Sequence, residues 1–253
     1  MQKITSTSND RIKFLKTLKS KKGRTENGTY LIEGKRAVLD AIKHNVRFNC
    51  VLIEENSDFD VLCDCEMIEV SRRVIEALSD TSSPEGIIAE AFIPDLSFRI
   101  DKVSGLVIFL DRLQDAGNLG TIIRTADALG AGAVVLSKEC VELFNPKTVR
   151  ATMSSIFNIP IMVADESVST LESLKKAGYT VYSAALKGEN FNSVKNINCE
   201  KSCIVIGNEG NGICDEVLSV SDKIVTLPMK GNAESLNAAI AAGILIYGFM
   251  FRD

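Results

Sequence analysis

The spacing of apolar positions in the first third of the chain predicts helices that alternate with short strands. Apolar residues three and four apart predict helices over 9–19, 35–43 and 72–78. Short runs rich in β-branched and other apolar residues predict strands over 30–33, 50–54, 67–70 and 86–92. These elements indicate a small α/β domain spanning residues 1–94.

A polar stretch from Pro94 to Gly105 predicts a linker over 95–105, and the remaining chain, 106–253, is predicted to be a second domain. The continuous apolar run 106–110 is typical of a strand buried on both faces. Alternating strands and helices indicate a parallel sheet with helices on both faces, where ligands lie beyond the carboxyl ends of the strands. The further predicted strands are 133–136, 159–163, 180–184, 203–206 and 224–227, and the predicted helices are 119–129, 146–157, 171–177, 213–219 and 234–251.

Composition excludes several classes of protein. With 253 residues, 45% of them hydrophobic and 25% charged, the chain is expected to be soluble and globular, not disordered or fibrous. The single histidine, His44, excludes chemistry that needs two or three histidines, including most zinc hydrolase sites. Seven cysteines without a Cys-x-x-Cys pair indicate reduced thiols and no metal site. The polar start shows no signal peptide, and the apolar run 238–251 is shorter than the roughly 20 residues that span a bilayer, so we expect a cytoplasmic protein without membrane contact.

Charge is distributed unevenly along the chain. Residues 1–48 hold 12 lysines and arginines against 4 acidic residues, whereas the whole chain has a net charge of -4. A basic head on an acidic body favours contact with a polyanion, and Phe14 and Tyr30 are candidates for stacking on bases. The alternative is a solvated helix face with Phe14 in the core. The residues predicted to bind RNA are Lys13, Lys16, Lys19, Lys21, Lys22, Arg24, Lys35, Arg36 and Arg150.

Three strand ends in the second domain carry unusual residues. After the first, which ends at Asp111, a loop with Gly117 and Gly120 leads into a helix, with Asn118 at or near its N-cap and Arg124 in its second turn. The order of glycines is not that of a dinucleotide-binding fold, which disfavours an NAD enzyme.

The other two strand ends are equally rich in glycine or small polar residues. The second is followed by the run 207–212, in which three glycines surround Asn208 and Glu209, and no Gly-Lys-Ser/Thr follows to make a phosphate loop. The third is followed by Ser235 and Asn237, which enter the last predicted helix. Ser235 has no histidine available as a base, which argues against a hydrolase.

These three segments, in this order and spacing, resemble the SpoU–TrmH family of RNA ribose 2'-O-methyltransferases, in the SPOUT superfamily, over 106–253. The first domain, through YLIEGKRAVLDAI (30–42), resembles the ribosomal-protein-like substrate-binding domain of many members. The resemblance implies an α/β fold with a deep trefoil knot in the C-terminal domain, S-adenosylmethionine held in that knot, and a homodimer that packs through the last helix.

The resemblance also implies roles for individual residues. The first motif falls on Asn118 and Arg124, the second on Asn208, Glu209 and Gly210, and the third on Ser235 and Asn237. Catalytic roles are implied for Arg124, Asn118, Glu209, Ser235 and Asn237, and cofactor contacts for Ala184, Gly207, Asn208, Gly210, Leu227, Met229, Ser235 and Leu236. Two segments depart from the family. Asp115-Ala116 stands where Asp-Pro is frequent, and Thr152-Met153-Ser154 follows Arg150-Ala151 where Ser-x-Gly is usual.

Methyl transfer to a ribose requires removal of the proton from the 2'-hydroxyl, which is a weak acid. Arg124 stays protonated, so we expect it to lower the pKa of the 2'-hydroxyl as a cation and not to act as a base. Glu209 is expected to orient Arg124 or to accept a proton. The alternative for Arg124 is an ion pair with Asp127 on the same helix.

The ribosomal character of the first domain favours ribosomal RNA over transfer RNA as substrate. A transfer RNA ribose methyltransferase, and a non-catalytic RNA-binding or ribosome-assembly factor on the same fold, remain alternatives. The basic head disfavours a methyltransferase that acts on a small molecule or a protein.

Overall fold

A computed structural model describes residues 2–57, 59, 63–195 and 197–251 and divides the chain into two compact units. The first unit contains the chain up to Asp95 together with Glu142–Phe157. The second unit contains Leu96–Val141 and the chain from Asn158 onward. The first unit is thus built from two separate stretches of sequence, and the domain boundaries predicted at 94 and 106 stay a prediction.

The first unit has a five-stranded mixed sheet in the order β1-β4-β3-β5-β2. Strands β1, β3 and β4 run parallel, and β5 runs antiparallel to both β3 and β2. Ile12 and Leu15 of the first helix are fully buried in the core of this unit. The elements are β1 (Gln2–Ile4), α1 (Asp10–Thr17), α2 (Lys21–Asn27), β2 (Thr29–Glu33), α3 (Lys35–Lys43), β3 (Phe48–Glu54), β4 (Glu66–Val70), α4 (Arg72–Leu78) and β5 (Ile87–Phe92).

Helix α2 and strand β1 were not predicted from the sequence. Helix α2 has no apolar periodicity, and its ends are set by capping instead. The Ser20 side chain accepts a hydrogen bond from Gly23 N at 3.1 Å, and Gly28 ends the helix in the left-handed conformation with φ of 64°. The other elements predicted within residues 1–94 are confirmed, and α3 and α4 have the predicted bounds.

The second unit has a six-stranded, all-parallel sheet in the order β11-β9-β10-β6-β7-β8. Alternate residues of β6 face opposite sides: Val107 and Phe109 pack in a cluster with residues of α7, while Ile108 is fully buried on the other face. The predicted parallel sheet, covered on both faces, is confirmed, and the trefoil knot stays a prediction. The elements are β6 (Val107–Leu110), α5 (Ala116–Ala128), β7 (Ala133–Ser137), β8 (Ile161–Ala164), α7 (Ser167–Lys176), β9 (Thr180–Asn190), β10 (Ser202–Ile206), α8 (Asp215–Ser219), β11 (Lys223–Thr226) and α9 (Ala238–Met250).

The segment predicted as a linker makes backbone contacts within the second unit. Leu96 O accepts a hydrogen bond from Val163 N at 2.7 Å, and Phe98 N donates to Val163 O at 3.2 Å. A short 3-10 helix follows at Ile100–Lys102. Residues 96–98 therefore pair along the edge strand β8, which the polar composition of 95–105 does not indicate.

The helix predicted over 146–157 is interrupted. Helix α6 (Pro146–Ala151) ends before Met153 and Ser154, which both have positive φ, and a 3-10 helix follows at Ser155–Phe157. Ser154, with φ of 75°, stands at the position where the resembled family has glycine. A left-handed backbone is easiest for glycine, which explains that preference and the break in the helix.

Candidate active site

A cavity of about 650 Å³ opens at the carboxyl ends of the parallel strands in the second unit. Its walls come from the middle of β9 (residues 184–186), the loop that follows β10, the loop that follows β11 and the first turns of α9. The volume lies within the roughly 300–1,000 Å³ typical of small-molecule sites. The position agrees with the rule that parallel sheets bind ligands beyond their carboxyl ends.

The residues predicted to contact the cofactor all line this cavity. They come from β9 and from the loops that follow β10 and β11, and the fold brings them together around one space. Their contact with a cofactor stays a prediction. They are Ala184, Gly207, Asn208, Gly210, Leu227, Met229, Ser235 and Leu236.

The loop after β10, residues 207–212, is a tight turn held by its own asparagine. Asn208 and Gly212 exchange backbone hydrogen bonds of 3.0 and 2.9 Å, and Gly212 has φ of 68°. The Asn208 side chain accepts hydrogen bonds from Gly210 N and Asn211 N and donates to Arg112 O at 2.9 Å. The loop is therefore ordered by the chain itself and presents its backbone to the cavity.

Gly207 at the start of this loop cannot be replaced without moving the backbone. A Cβ atom there would lie 2.4 Å from Gly212 C and from Ile213 N. Real Cβ atoms do not approach backbone this closely, so the close packing of the turn requires glycine at this position.

Asp111 forms hydrogen bonds with Ile206 and Cys214 on either side of this loop, a role that was not predicted from the sequence. It is buried at the end of β6, and its carboxylate accepts a hydrogen bond from Cys214 N at 2.9 Å. Its own N–H donates to Ile206 O at 2.8 Å. The signal in the sequence was a carboxylate directly after a fully apolar strand, where a buried charge must find partners.

The carboxylate of Glu209 joins the first two sequence motifs. Its Oε1 accepts hydrogen bonds from Asn118 Nδ2 at 2.9 Å and from Asp115 N at 3.0 Å, and its Oε2 accepts from Gln114 N at 3.1 Å. Partial burial raises the pKa of this carboxyl, but hydrogen bonds from the Asn118 side chain and the backbone of Asp115 and Gln114 outweigh it and lower the pKa overall. Glu209 is thus suited to hold geometry as an anion, and not to accept a proton.

Asn118 continues this network to the third motif. Its Oδ1 accepts a hydrogen bond from Asn237 Nδ2 at 3.0 Å, so three loops that are distant in sequence meet through side-chain amides and one carboxylate. Asn118 was predicted at or near the N-cap of its helix, and it lies in the first turn, three residues after the cap. Helix α5 begins at Ala116, and Asp115 is the N-cap, accepting a hydrogen bond from Asn118 N at 2.8 Å.

Asn237 caps the last helix. Its Oδ1 accepts hydrogen bonds from Ala239 N at 2.9 Å and Ile240 N at 3.3 Å, while its Nδ2 is directed to Asn118. The helix predicted from Glu234 begins only at Ala238, because this cap ends the preceding loop. Ser235 lies in that loop and lines the cavity.

Arg124 lies apart from the cavity walls. It is exposed on the third turn of α5. Among the described residues, neither the alternative ion pair with Asp127 nor the predicted contact with Glu209 is formed, and Asp127 instead accepts a hydrogen bond from Asn158 Nδ2 at 2.9 Å. The guanidinium is therefore available to a ligand that approaches this surface.

The residues predicted to bind RNA in the first unit differ in accessibility. Lys21 is exposed and Lys16 is half-buried, and within the described part of the chain neither forms an ion pair. Lys35 lies over the Phe59 ring, with Nζ 5.0 Å from its centroid. The others have carboxylate partners: Lys13 with Asp10, Lys22 with Glu26, Arg36 with Asp40, and Lys19 and Arg150 both with Asp80.

Arg24 was predicted to bind RNA, but it is buried and therefore not available at the surface. Its side chain is 2% exposed, donates to both carboxylate oxygens of Glu142, and also donates to Leu18 O at 2.7 Å. Tyr30 is likewise buried, with its ring 4.2 Å from that of Phe144, so it cannot stack on a base. Both partners lie more than a hundred positions away in the chain, where a local pattern could not indicate them.

Helix α9 has an apolar face that is exposed. Ile240, Ile244, Tyr247 and Phe251 follow one another at helical spacing and are between 46% and 60% exposed. The opposite face of the helix, which includes Leu245, is buried in the second unit. An apolar stripe of this length that is exposed to solvent is typical of an interface.

The part of the chain that the structure describes has neither a cluster of metal-binding side chains nor a membrane-spanning helix. It contains no group of three or more histidine, cysteine, aspartate or glutamate side chains placed to hold a metal ion. It also contains no helix of sufficient length and apolar character to cross a membrane.

Comparisons with known proteins agree on one family. The model of the SpoU rRNA Methylase family matches residues 105–247, and that of the MRM3-like substrate binding domain matches residues 9–89. The chain is 36% identical over 252 residues to the 23S rRNA (guanosine(2553)-2'-O)-methyltransferase RlmP of Bacillus subtilis, covering 98% of each.

Solved structures resemble the fold over nearly the whole chain. The AdoMet-bound rRNA methyltransferase of Sinorhizobium meliloti matches with a TM-score of 0.88 and 29% identity, covering 97% of this chain and 96% of that one. The SpoU methyltransferase AviRb of Streptomyces viridochromogenes, in complex with AdoMet, matches with a TM-score of 0.86 and 25% identity, covering 96% and 97%.

Proposed function

The chain belongs to the SpoU rRNA methylase family, and on that premise we propose that it transfers a methyl group from S-adenosylmethionine to a ribose 2'-oxygen of 23S ribosomal RNA. The RlmP relative, which is similar along the whole length, supports this substrate. The observation that carries the proposal is the hydrogen-bonded junction of Glu209, Asn118 and Asn237 beside a cavity lined by all the predicted cofactor residues. A cytoplasmic location follows from a ribosomal substrate.

The cavity suits the cofactor chemically. Apolar side chains such as Leu186 and Leu227 offer flat surfaces for a purine, and the backbone of Gly207 and its neighbours lies open for hydrogen bonds. When bound, S-adenosylmethionine supplies an activated methyl group on a positively charged sulphur. Gly207, Leu227 and Leu236 would hold it mainly through their backbone.

Residues beside the cavity position the ribose, and Arg124, which lies outside the cavity walls, lowers the pKa of the ribose hydroxyl. Asn118 and Asn237, fixed to each other and to Glu209, hold the acceptor in line with the methyl group, which lowers the barrier by orientation. Arg124 stays charged and, at the 2'-oxygen or the neighbouring phosphate, favours the deprotonated hydroxyl. Its guanidinium is exposed and forms no ion pair with any described residue, which supports such a contact with RNA.

Methyl labelling tests this function. Ribosomal RNA and transfer RNA from a strain that lacks the protein are incubated with the pure chain and labelled S-adenosylmethionine, and modified riboses are mapped. Label at a ribose of 23S rRNA, absent from 16S rRNA and transfer RNA, is expected. Label in transfer RNA alone would favour the transfer RNA alternative, and cofactor binding without any transfer would favour the assembly factor.

RNA binding is assigned to the first unit, whose match to a substrate-binding domain supports it. We expect the double substitution Lys16→Ala/Lys21→Ala to weaken affinity for 23S rRNA fragments and to reduce its salt dependence, because each removes a phosphate contact. Arg24→Ala should instead lower the free energy of unfolding by about 3 kcal/mol, because Glu142 is left without its partner. Filter binding and thermal unfolding separate the two effects, and a double variant with unchanged RNA affinity would contradict the assignment.

A homodimer through α9 is also part of the proposal, because its exposed apolar face needs a partner. Ile244→Glu should convert the dimer to a monomer, since a charge in the centre of an apolar interface is left without a partner. Light scattering coupled to gel filtration measures the mass, and Lys176→Glu, which places a carboxylate on an exposed position of α7, is the control. A wild-type monomer, or a dimer that survives Ile244→Glu, would refute this interface.

A further inference from the structure

The charges on the cavity walls all have one sign. Among the described residues that line the cavity, two carry charge, Glu209 and Glu234, and both are acidic, while the lining includes no lysine, arginine or histidine. A ligand with positive charge therefore enters a favourable field, whereas an anion meets no side-chain cation.

The two carboxylates are not equivalent. Glu209 is held by three donors from Gln114, Asp115 and Asn118 and connects the loops of the site. Glu234 lies in the exposed loop between β11 and α9, one residue before Ser235. Within the described part of the chain, no hydrogen bond or ion pair engages it, so the charge of this cavity-lining residue has no counter-ion there.

We propose that Glu234 is a specificity-determining residue that makes the cavity prefer the cationic methyl donor over the product left after transfer. This inference rests on the proposed function. In the transfer, the bond from sulphur to methyl breaks with its electron pair remaining on sulphur, a bond forms from ribose oxygen to methyl, and the hydroxyl proton leaves to solvent. The donor and the product therefore differ by one methyl group and one positive charge.

The preference has a direct use in turnover. An interaction with one solvated carboxylate strengthens binding of a unit positive charge about fivefold, because water screens the attraction at an exposed site. The same carboxylate gives no such gain to the uncharged thioether of the product. Glu234 thus favours exchange of spent cofactor for fresh donor in a cavity that otherwise fits both equally.

Calorimetry with three ligands tests the role of Glu234 without relying on activity. The full chain and its Glu234→Gln variant are titrated with S-adenosylmethionine, S-adenosylhomocysteine and sinefungin, in which an amine-bearing carbon replaces the charged sulphur. We expect Glu234→Gln to weaken S-adenosylmethionine and sinefungin about fivefold and to leave S-adenosylhomocysteine unchanged. Added salt should weaken the preference in the wild type and have little effect on it in the variant.

The matched control is Glu172→Gln, which removes the same charge from an exposed position of α7 outside the cavity. It should leave all three affinities unchanged. Equal weakening of the three ligands by Glu234→Gln would place Glu234 beside a part of the cofactor that they share. No weakening of any ligand would show that Glu234 does not contribute to cofactor binding. Either result overturns the inference. A wild-type chain that binds none of the three ligands would instead overturn the proposed function.

Discussion

Replacing Arg124 by alanine should lower the rate of methyl transfer at least about 100-fold, because a fixed positive charge that stabilises a developing oxyanion is worth this much or more. The fold should not change, since the side chain is exposed and makes no ion pair within the described residues. Cofactor affinity should also persist, because Arg124 does not line the cavity. Single-turnover transfer to 23S rRNA, calorimetry with S-adenosylmethionine and thermal unfolding measure the three properties.

Two further variants define the role of this arginine. Lys176→Ala removes a positive charge at the exposed end of α7, which leads into the amino end of β9 and does not line the cavity, and should keep wild-type activity. Arg124→Lys keeps the charge but loses the planar pair of donors, so partial activity is expected. Activity of Arg124→Ala within a few-fold of wild type would exclude Arg124 from the chemistry.

Glu209→Ala should lower kcat/KM about 100-fold, because small displacements of positioning groups have effects of this size. Its loss leaves Asn118 Nδ2 and two backbone N–H groups without their acceptor and separates the loop after β10 from the start of α5. Cofactor binding should weaken in parallel, since that loop forms one wall of the cavity. Steady-state kinetics and calorimetry on the same preparation record both effects.

The pH dependence of Glu209 gives an independent measurement. Its pKa is lowered in the folded chain, so its contribution to stability is present above the ordinary glutamate range and disappears as the pH falls through the folded pKa. The melting temperatures of wild type and Glu209→Gln should therefore differ at neutral pH and converge in acid. A constant difference across this range, or full activity of Glu209→Ala, would contradict the positioning role.

Elements with a regular apolar pattern were predicted well, and elements set by capping or by strained backbone were not. Helices α3 and α4 show apolar periodicity and have their predicted bounds. Helix α2 has none, and depends on Ser20 and Gly28 at its ends. The break after α6 follows from two consecutive left-handed residues, Met153 and Ser154, which a helical pattern of side chains does not reveal.

In the candidate site, too, contacts between residues that are distant in sequence were not predicted. The resemblance to the family implied the cofactor residues, and all of them line one cavity in the structure, while their contact with a cofactor stays a prediction. The hydrogen bonds within the site were not predicted: the sequence does not show that Glu209 contacts Asn118, or that Asp111 accepts a hydrogen bond from Cys214 N. Burial of Arg24 by Glu142 was missed for the same reason, because a charged residue in a basic run looks solvated until its partner is known.

The composition of the first unit from two stretches of chain has a consequence for its synthesis. Arg24 and Tyr30 emerge from the translating ribosome long before Glu142 and Phe144, their partners in the finished core. Until Phe157 has left the exit tunnel, the nascent first unit has a buried cation without its counter-ion and an uncovered aromatic ring. Its folding must therefore be completed late, after much of the second unit has been translated.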